Sequence, residues 1–334
     1  MQRDVMITCT EMHTGGEPLR IVESGYPTLL GDSVLEKRSY AARSADGARR
    51  LIMHEPRGHH DMYGAVRVTA DHTEADFGVL FLHNEGYSTM CGHAVIALGR
   101  YAVDKGIVKK ALDGDTRVNI QCPCGLVSAY VAKSGSVRFH SVPAYAFALD
   151  VDVDVPGHGR LKVDIGYGGA FYALIPAQAL GLDMRKSRTR DLTDAATLVT
   201  EAVKRQVTLH HPDSPELAFL YGTIVTDGND AFSDQPTSNV CVFADREVDR
   251  SPTGSGVTAR IAVQYKRGLI GLNQSRVFAS GVNDSRFTGM AVKETTCGQI
   301  PAVVVEVAGK AFYTGTSTFT VEDEDEFKTG FLCN

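Results

Sequence analysis

The feature that most constrains this chain is an internal repeat. The run Ser88-Thr89-Met90-Cys91-Gly92-His93-Ala94 opens a stretch that closes at Gly106, and Ser251-Pro252-Thr253-Gly254-Ser255-Gly256-Val257 opens one that closes at Gly268. Laid over one another, Thr253 falls on Cys91, Gly254 on Gly92, Ser255 on His93 and Ala259 on Ala97. Both stretches are rich in apolar helix formers and stop at a glycine, which reads as a helix with its C-terminal cap. Each follows a strand-like run, Val79–His83 in one copy and Asn239–Phe243 in the other. The chain is therefore expected to be two related halves, each delivering one helix N-terminus.

That placement has chemical content. A helix start leaves backbone N–H groups unpaired and carries the positive end of the helix dipole. A thiol at Cys91 is then biased toward thiolate, the reactive form. Gly92 has no Cβ, so a ligand or a second backbone can approach closely.

Composition excludes several classes. With 34 basic and 40 acidic residues the net charge is −6 and no basic patch occurs, which argues against nucleic acid and anionic membranes as partners. No apolar run approaches the ~18–20 residues of a membrane span, and the N-terminus shows no secretory segment. The seven cysteines (9, 91, 122, 124, 241, 297, 333) are odd in number and scattered, as expected of reduced thiols in the cytoplasm.

Taken in order, residues 6–24 read as a hairpin turning at Gly15-Gly16, and 29–52 as a helix rich in Lys, Arg, Ala and Leu. A polar loop holding His54, Glu55, His59, His60 and Asp61 runs into a strand near Val66. Residues 117–132 read as two strands around a Pro123-Cys124-Gly125 turn, and 137–142 as another. The second half repeats the opening hairpin at Gly168-Gly169. Helices are expected at 172–183 and 191–208, strands at 217–225 and 239–243, two or three more strands within 275–309, and one over 311–321. The first half is taken as 1–150 completed by 312–334, and the second as 151–311. Strand-heavy halves with one apolar helix each suggest an α+β fold, a sheet or barrel wrapped around that helix. A two-fold relation brings both helix starts to a cleft, where a small ligand binds.

Other motifs are weaker. Cys9, Cys122, Cys241 and Cys297 are expected to be buried and inert. Cys122-Pro123-Cys124 lacks CxxC spacing, and the histidines around His59 lack the HExxH pattern, so no metal site is read there. Gly254-Ser255-Gly256 lacks the third glycine of a dinucleotide site. The acidic run Glu322–Glu326 reads as a solvated face.

Three segments carry a family resemblance. Met12-His13-Thr14-Gly15-Gly16-Glu17-Pro18, Met90-Cys91-Gly92-His93 and Asp249-Arg250-Ser251-Pro252-Thr253-Gly254-Ser255-Gly256 resemble the signatures of the proline racemase family, and the similarity covers essentially the whole chain. It implies a diaminopimelate epimerase-like fold of two pseudo-symmetric halves. Racemases and hydroxyproline epimerases of the family carry a cysteine at both helix starts, whereas this chain has Thr253. The Cys-then-Thr pairing is similar to the branch that dehydrates trans-3-hydroxy-L-proline. By position, Cys91 and Thr253 are the candidate catalytic residues. Backbone N–H groups of Gly92, His93, Gly254 and Ser255 suit a substrate carboxylate. The resemblance gives Asp249 the cationic ring nitrogen, and Phe243 is an apolar wall. No cofactor is needed, and a homodimer is the candidate assembly.

The exchange at 253 matters chemically. Inverting an α-carbon takes a base and an acid on opposite faces, and a threonine hydroxyl is far too weak a base near neutral pH. In trans-3-hydroxy-L-proline the α-hydrogen and the 3-hydroxyl lie on the same ring face, so one thiolate there can take the proton while hydroxide leaves. Racemisation of proline, 2-epimerisation of a hydroxyproline, and amino-acid binding without catalysis are the alternatives.

Overall fold

Two glycine-glycine hairpins start parallel series of elements in the computed structural model, which describes residues 5–333. Up to the middle of the chain the elements are β1 (Val5–Thr14), β2 (Glu17–Ser24), α1 (Val34–Ser44), α2 (Asp46–Met53), β3 (Gly64–Val68), β4 (Phe77–Leu82), β5 (Tyr87–Ser88), α3 (Gly92–Asp104), β6 (Thr116–Cys122), β7 (Gly125–Val131) and β8 (Ser136–His140). They continue with β9 (Tyr145–Val155), β10 (Gly159–Tyr167), β11 (Phe171–Pro176), α4 (Thr189–Gln206), β12 (Leu220–Thr226), β13 (Thr237–Phe243), β14 (Glu247–Val248), α5 (Gly254–Lys266), β15 (Arg276–Ser280), β16 (Arg286–Cys297) and β17 (Ile300–Val321). None of the described helices is long and apolar enough to cross a membrane.

The chain divides into two compact units, one of residues 1–89, 93–137 and 310–334, the other of 90–92 and 138–309. In the first unit β1 pairs antiparallel with β2, β2 parallel with β3, β3 antiparallel with β4, and β4 parallel with β6, which turns back into β7. The end of β17 pairs on the other edge of β1, for example Thr14 opposite Ala311. The sheet wraps around α3, whose residues Ala94 to Leu98 are completely buried. Gly99 faces Ala129 and Val131 of β7, Tyr101 donates to Glu23 of β2 at 2.6 Å, and Arg100 donates to the Ala311 carbonyl at 2.6 Å. A second cluster, including Ile7, Val22, Val34, Ile52, Met53 and Leu80, lies under α1 and α2.

The second unit repeats this order. β10 and β11 form the hairpin, β11 runs parallel to β12 with α4 between them, and β12 is antiparallel to β13. β13 is parallel to β15 with α5 between them, and β15 turns back into β16. Close backbone approach seats α5: a Cβ on Gly168 of the hairpin turn would lie 2.2 Å from the Ser255 carbonyl oxygen, and one on Gly289 2.6 Å from Ile261. The expected pseudo-symmetric α+β architecture is thus present in the strand pairing itself.

Three local expectations are corrected. The helix expected over 29–52 is two helices, broken at Ala45, whose φ of −130° leaves the helical region. Ser33 and Glu36 form a capping box that begins the first of them. The helix expected over 172–183 is strand β11 followed by a single 3-10 turn at Ala177–Leu180, because the apolar run after Gly169 pairs with β10 and β12. Of the strands expected within 275–309, β15 and β16 are separate, and the last is continuous with the one expected over 311–321 as a single 22-residue strand, β17. In the acidic run after it, Asp325 pairs with Arg57 and is held below the usual carboxylate range chiefly by that bond.

Candidate active site

The turn before α5 is built by a relay of side chains. Asp249 is buried, and its Oδ1 accepts the Ser251 N–H at 2.7 Å; Ser251 Oγ in turn accepts the Thr253 N–H at 3.0 Å. Asn239 of β13 donates to the Pro252 carbonyl at 3.1 Å and accepts from Arg260 at 3.1 Å. Arg260, fully buried on α5, also reaches Thr237 at 2.9 Å and forms an ion pair with Asp230 at 2.8 Å. The relay therefore fixes the turn from both its own side chains and the helix it precedes.

At the end of that turn Thr253 occupies the N-cap position with φ +66° and ψ +93°. A β-branched residue at positive φ is a genuine outlier, costing on the order of 1–3 kcal/mol. Its carbonyl accepts the first helical N–H, from Val257 at 2.7 Å, but its hydroxyl caps nothing. Thr253 is 4 % exposed, and its Oγ1 is buried with no hydrogen-bond partner. Strain and an unsatisfied buried hydroxyl together are costs the turn alone does not require.

Cys91 is also 4 % exposed and stands immediately before Gly92, the first residue of α3. Gly92 lies flat against the start of α5: an added Cβ would sit 2.5 Å from Gly254 Cα and 3.0 Å from Ser255 N. The two residues laid over one another in the sequence thus each precede one of two glycines in backbone contact. Seven of the eight expected site residues, Cys91, Gly92, Phe243, Asp249, Thr253, Gly254 and Ser255, belong to this unit. The eighth, His93, belongs to the first unit. There its carbonyl accepts from Thr14 at 2.9 Å, its Nε2 donates to the Pro18 carbonyl at 3.2 Å, and its ring meets Tyr63 edge-on at 4.9 Å.

Sequence reasoning missed the aromatic line behind Ser255. Tyr172 is buried and shares a 2.7 Å hydrogen bond with Ser255 Oγ. Burial pushes its phenol well above the usual range, and Cys241, Cys91 and Asp249 are all close enough to raise it further. Tyr221 meets Tyr172 edge-on at 5.8 Å and stacks on Phe243 at 5.1 Å. A signal existed: Tyr172 is the third residue after Gly169, as Leu19 is after Gly16, so the repeat places both on the strand leaving the hairpin.

Cys9, Cys122 and Cys241 are buried, and burial pushes the Cys9 thiol up to about 12. Residues 123 and 124 form the turn between β6 and β7, with the Cys124 N–H on the Thr89 carbonyl at 3.1 Å. His54 Nε2 lies 2.8 Å from the Asn84 carbonyl oxygen, and the loop around His59 forms no metal-holding group among the described residues.

The profile of the family described as proline racemase matches residues 9–332. The chain belongs to the proline racemase family. Within that family it is 62 % identical over 331 residues to the trans-L-3-hydroxyproline dehydratase of Xenopus tropicalis, covering 98 % of this chain and 95 % of that one. It is 59 % identical over 334 residues to the trans-3-hydroxy-L-proline dehydratase of Homo sapiens, covering 98 % and 94 %. Among solved structures, a probable proline racemase from Agrobacterium radiobacter K84 with bound carbonate superposes with a TM-score of 0.91 at 27 % identity, over 98 % of this chain and 96 % of that one.

Proposed function

We propose that this chain is a cofactor-independent hydro-lyase that converts trans-3-hydroxy-L-proline to Δ1-pyrroline-2-carboxylate. The observation that carries the reading is the pairing of Cys91 with a threonine, not a second thiol, across the contact between Gly92 and Gly254. The names of relatives sharing about three residues in five over almost their full length agree with it.

In this reading the substrate carboxylate lies on the N–H groups of Gly92, His93, Gly254 and Ser255, where the helix dipoles favour negative charge. The Asp249 carboxylate pairs with the ring ammonium, and Phe243 covers the apolar ring face. The Cys91 thiolate removes the α-proton. The carbanion electrons form a Cα–Cβ double bond as the bond from C3 to its hydroxyl breaks, and the leaving hydroxide takes a proton to become water. The resulting enamine gains a proton at C3 as its nitrogen gives one up and becomes the imine, so the net change is loss of one water. Thr253, without a base of adequate strength, cannot return a proton to the opposite face. The enzyme acts in the cytoplasm, where its seven free cysteines stay reduced, with a homodimer as the assembly to be checked by sedimentation.

The test is incubation with trans-3-hydroxy-L-proline, L-proline and trans-4-hydroxy-L-proline. Imine formation from the first alone is the expected outcome. Loss of optical rotation with either of the others makes the protein a racemase or epimerase, and saturable binding without turnover makes it a binding protein.

A further inference from the structure

Beyond the helix starts, the second unit gathers three metal-ligating side chains that this reaction does not use. His211 and Asp213 lie on the segment between α4 and β12, and Cys297 ends β16. Cys297 Sγ is 3.8 Å from His211 Nε2 and 3.8 Å from Asp213 Oδ2, and ligand atoms from all three fall within 4.8 Å of one another. Tetrahedral zinc, with Zn–S near ~2.3 Å and Zn–N or Zn–O near ~2.0–2.2 Å, sets neighbouring ligand atoms roughly 3.3–3.6 Å apart. The two spacings from sulfur need to close by only a few tenths of an ångström, and the imidazole and the exposed Asp213 carboxylate, within 4.8 Å of each other, by a side-chain movement of about 1–1.5 Å. The two segments are already seated on each other, since a Cβ on Gly298 would lie 2.8 Å from Pro212.

An independent observation points into the same cluster. Tyr145 is 1 % exposed, and its hydroxyl is buried with no hydrogen-bond partner. Its ring centroid lies 6.3 Å from that of His211. Tyr167 stacks on Tyr145 at 5.1 Å and meets the same imidazole at 4.7 Å. A buried hydroxyl left without a partner costs stability unless something fills the space before it.

We propose that His211, Asp213 and Cys297 bind one divalent transition-metal ion of the zinc type, with a water in the fourth position held by the Tyr145 hydroxyl. A thiolate, an imidazole and a carboxylate select zinc or cobalt over magnesium or calcium. Binding releases the Cys297 S–H proton to solvent. It also moves the His211 ring proton from Nε2 to Nδ1, giving up the 3.2 Å contact from the Asp213 N–H. The ion would clamp the segment after α4 onto the β16–β17 turn, a structural role.

The test is titration of the metal-stripped full-length protein with Zn²⁺ and, separately, Co²⁺. One equivalent of each should bind, Zn²⁺ should raise Tm, and Co²⁺ should give a sulfur-to-cobalt charge-transfer band. Cys297→Ala and His211→Ala should abolish the band, and Tyr145→Phe should weaken binding about 10-fold or more through the lost bond to the bound water. Asp213→Asn, at an exposed position that leaves the fold intact, should weaken Co²⁺ at least 10-fold. Sub-stoichiometric binding, a band that survives Cys297→Ala, or an Asp213→Asn protein with unchanged affinity overturns the proposal.

Discussion

The starts of α3 and α5 are the same construction carried out with different atoms. Each lies within a parallel-strand crossover, each is latched by the glycine-glycine hairpin of its own series, and Gly92, at the head of the first, meets the backbone at Gly254. The latches differ: Thr14 and Pro18 hold His93 through its carbonyl and ring nitrogen, whereas Tyr172 holds Ser255 through a hydroxyl. The helices differ too, α3 being apolar through its interior turns while α5 buries Thr258, Arg260 and Gln264. Those buried polar groups need partners, and the network that satisfies Arg260 is the one that fixes the Thr253 turn. Position has been duplicated and chemistry has not. The side chain before each glycine is thus free to specialise, one to a thiol, the other to a strained and unpartnered hydroxyl.

The largest break in the comparison comes from exchanging its one thiol. Cys91→Ser should lower turnover of trans-3-hydroxy-L-proline by about 10³-fold or more, the scale of a lost general base. Binding should survive, because the carboxylate and ammonium contacts do not involve Sγ. Steady-state rates with calorimetric titration separate the two effects, and unchanged turnover would mean that Cys91 is not the base. Iodoacetamide should inactivate the wild type, with substrate protecting it.

The glycine contact comes next. Gly92→Ala puts a methyl group 2.5 Å from Gly254 Cα, against backbone that cannot swing aside. A loss of about 1–3 kcal/mol or more is expected, with activity falling alongside. Gly99→Ala in the same helix meets only side-chain methyls, the nearest at 3.2 Å, and should be clearly milder. Urea midpoints for the pair measure the difference; equal midpoints would mean that the two helix starts do not pack as closely as described.

Much of this arrangement is legible in the sequence, for identifiable reasons. The repeat exposes both helix starts because glycines and the caps after them are fixed by backbone geometry, which substitution rarely disguises. The hairpins at Gly15-Gly16 and Gly168-Gly169 are visible for the same reason. The strand β11 is not, because a short apolar run suits a buried strand and a buried helix equally until its pairing partners are known. Tyr172 and the relay from Asp249 to Ser251 to Thr253 are hidden for a different reason. Their roles depend on which hydroxyl meets which hydroxyl across 83 residues in one case, and on which side-chain oxygen meets which amide two residues away in the other. The Thr253 strain is likewise a property of ψ and φ that no residue type announces.

The latches allow a finer comparison. Thr14→Val removes the donor to the His93 carbonyl and leaves that acceptor buried, which should cost about 1–3 kcal/mol. Tyr172→Phe leaves only the Ser255 hydroxyl behind, a group that can rotate, so about 1 kcal/mol is expected. Adding Ser255→Ala to Tyr172→Phe should recover part of that loss, since replacing both partners is close to neutral. Denaturant midpoints at constant m-value report each step. If the double variant is as costly as two independent losses, the 2.7 Å bond is not what ties the hairpin to α5.

The smallest effect is also the most specific. Thr253→Cys restores a thiol at the start of α5, where the helix dipole favours thiolate as it does at Cys91. The change in side-chain volume is small, so folding and substrate binding should largely survive. The variant should gain the proton donor on the opposite face that inversion needs, and should convert a trace of L-proline to D-proline. The gain will be small because proton transfer is sensitive to misplacement of about 1 Å, and the backbone at 253 is set for threonine at positive φ. In deuterated water, wild type should exchange the α-proton at one face only, through Cys91, with no D-proline formed. Chiral chromatography and NMR on both proteins distinguish exchange with retention from inversion. A folded, substrate-binding variant that yields no D-proline would mean that residue 253 does not face the α-carbon, so that the two helix starts match in backbone but not in their access to the reacting atom.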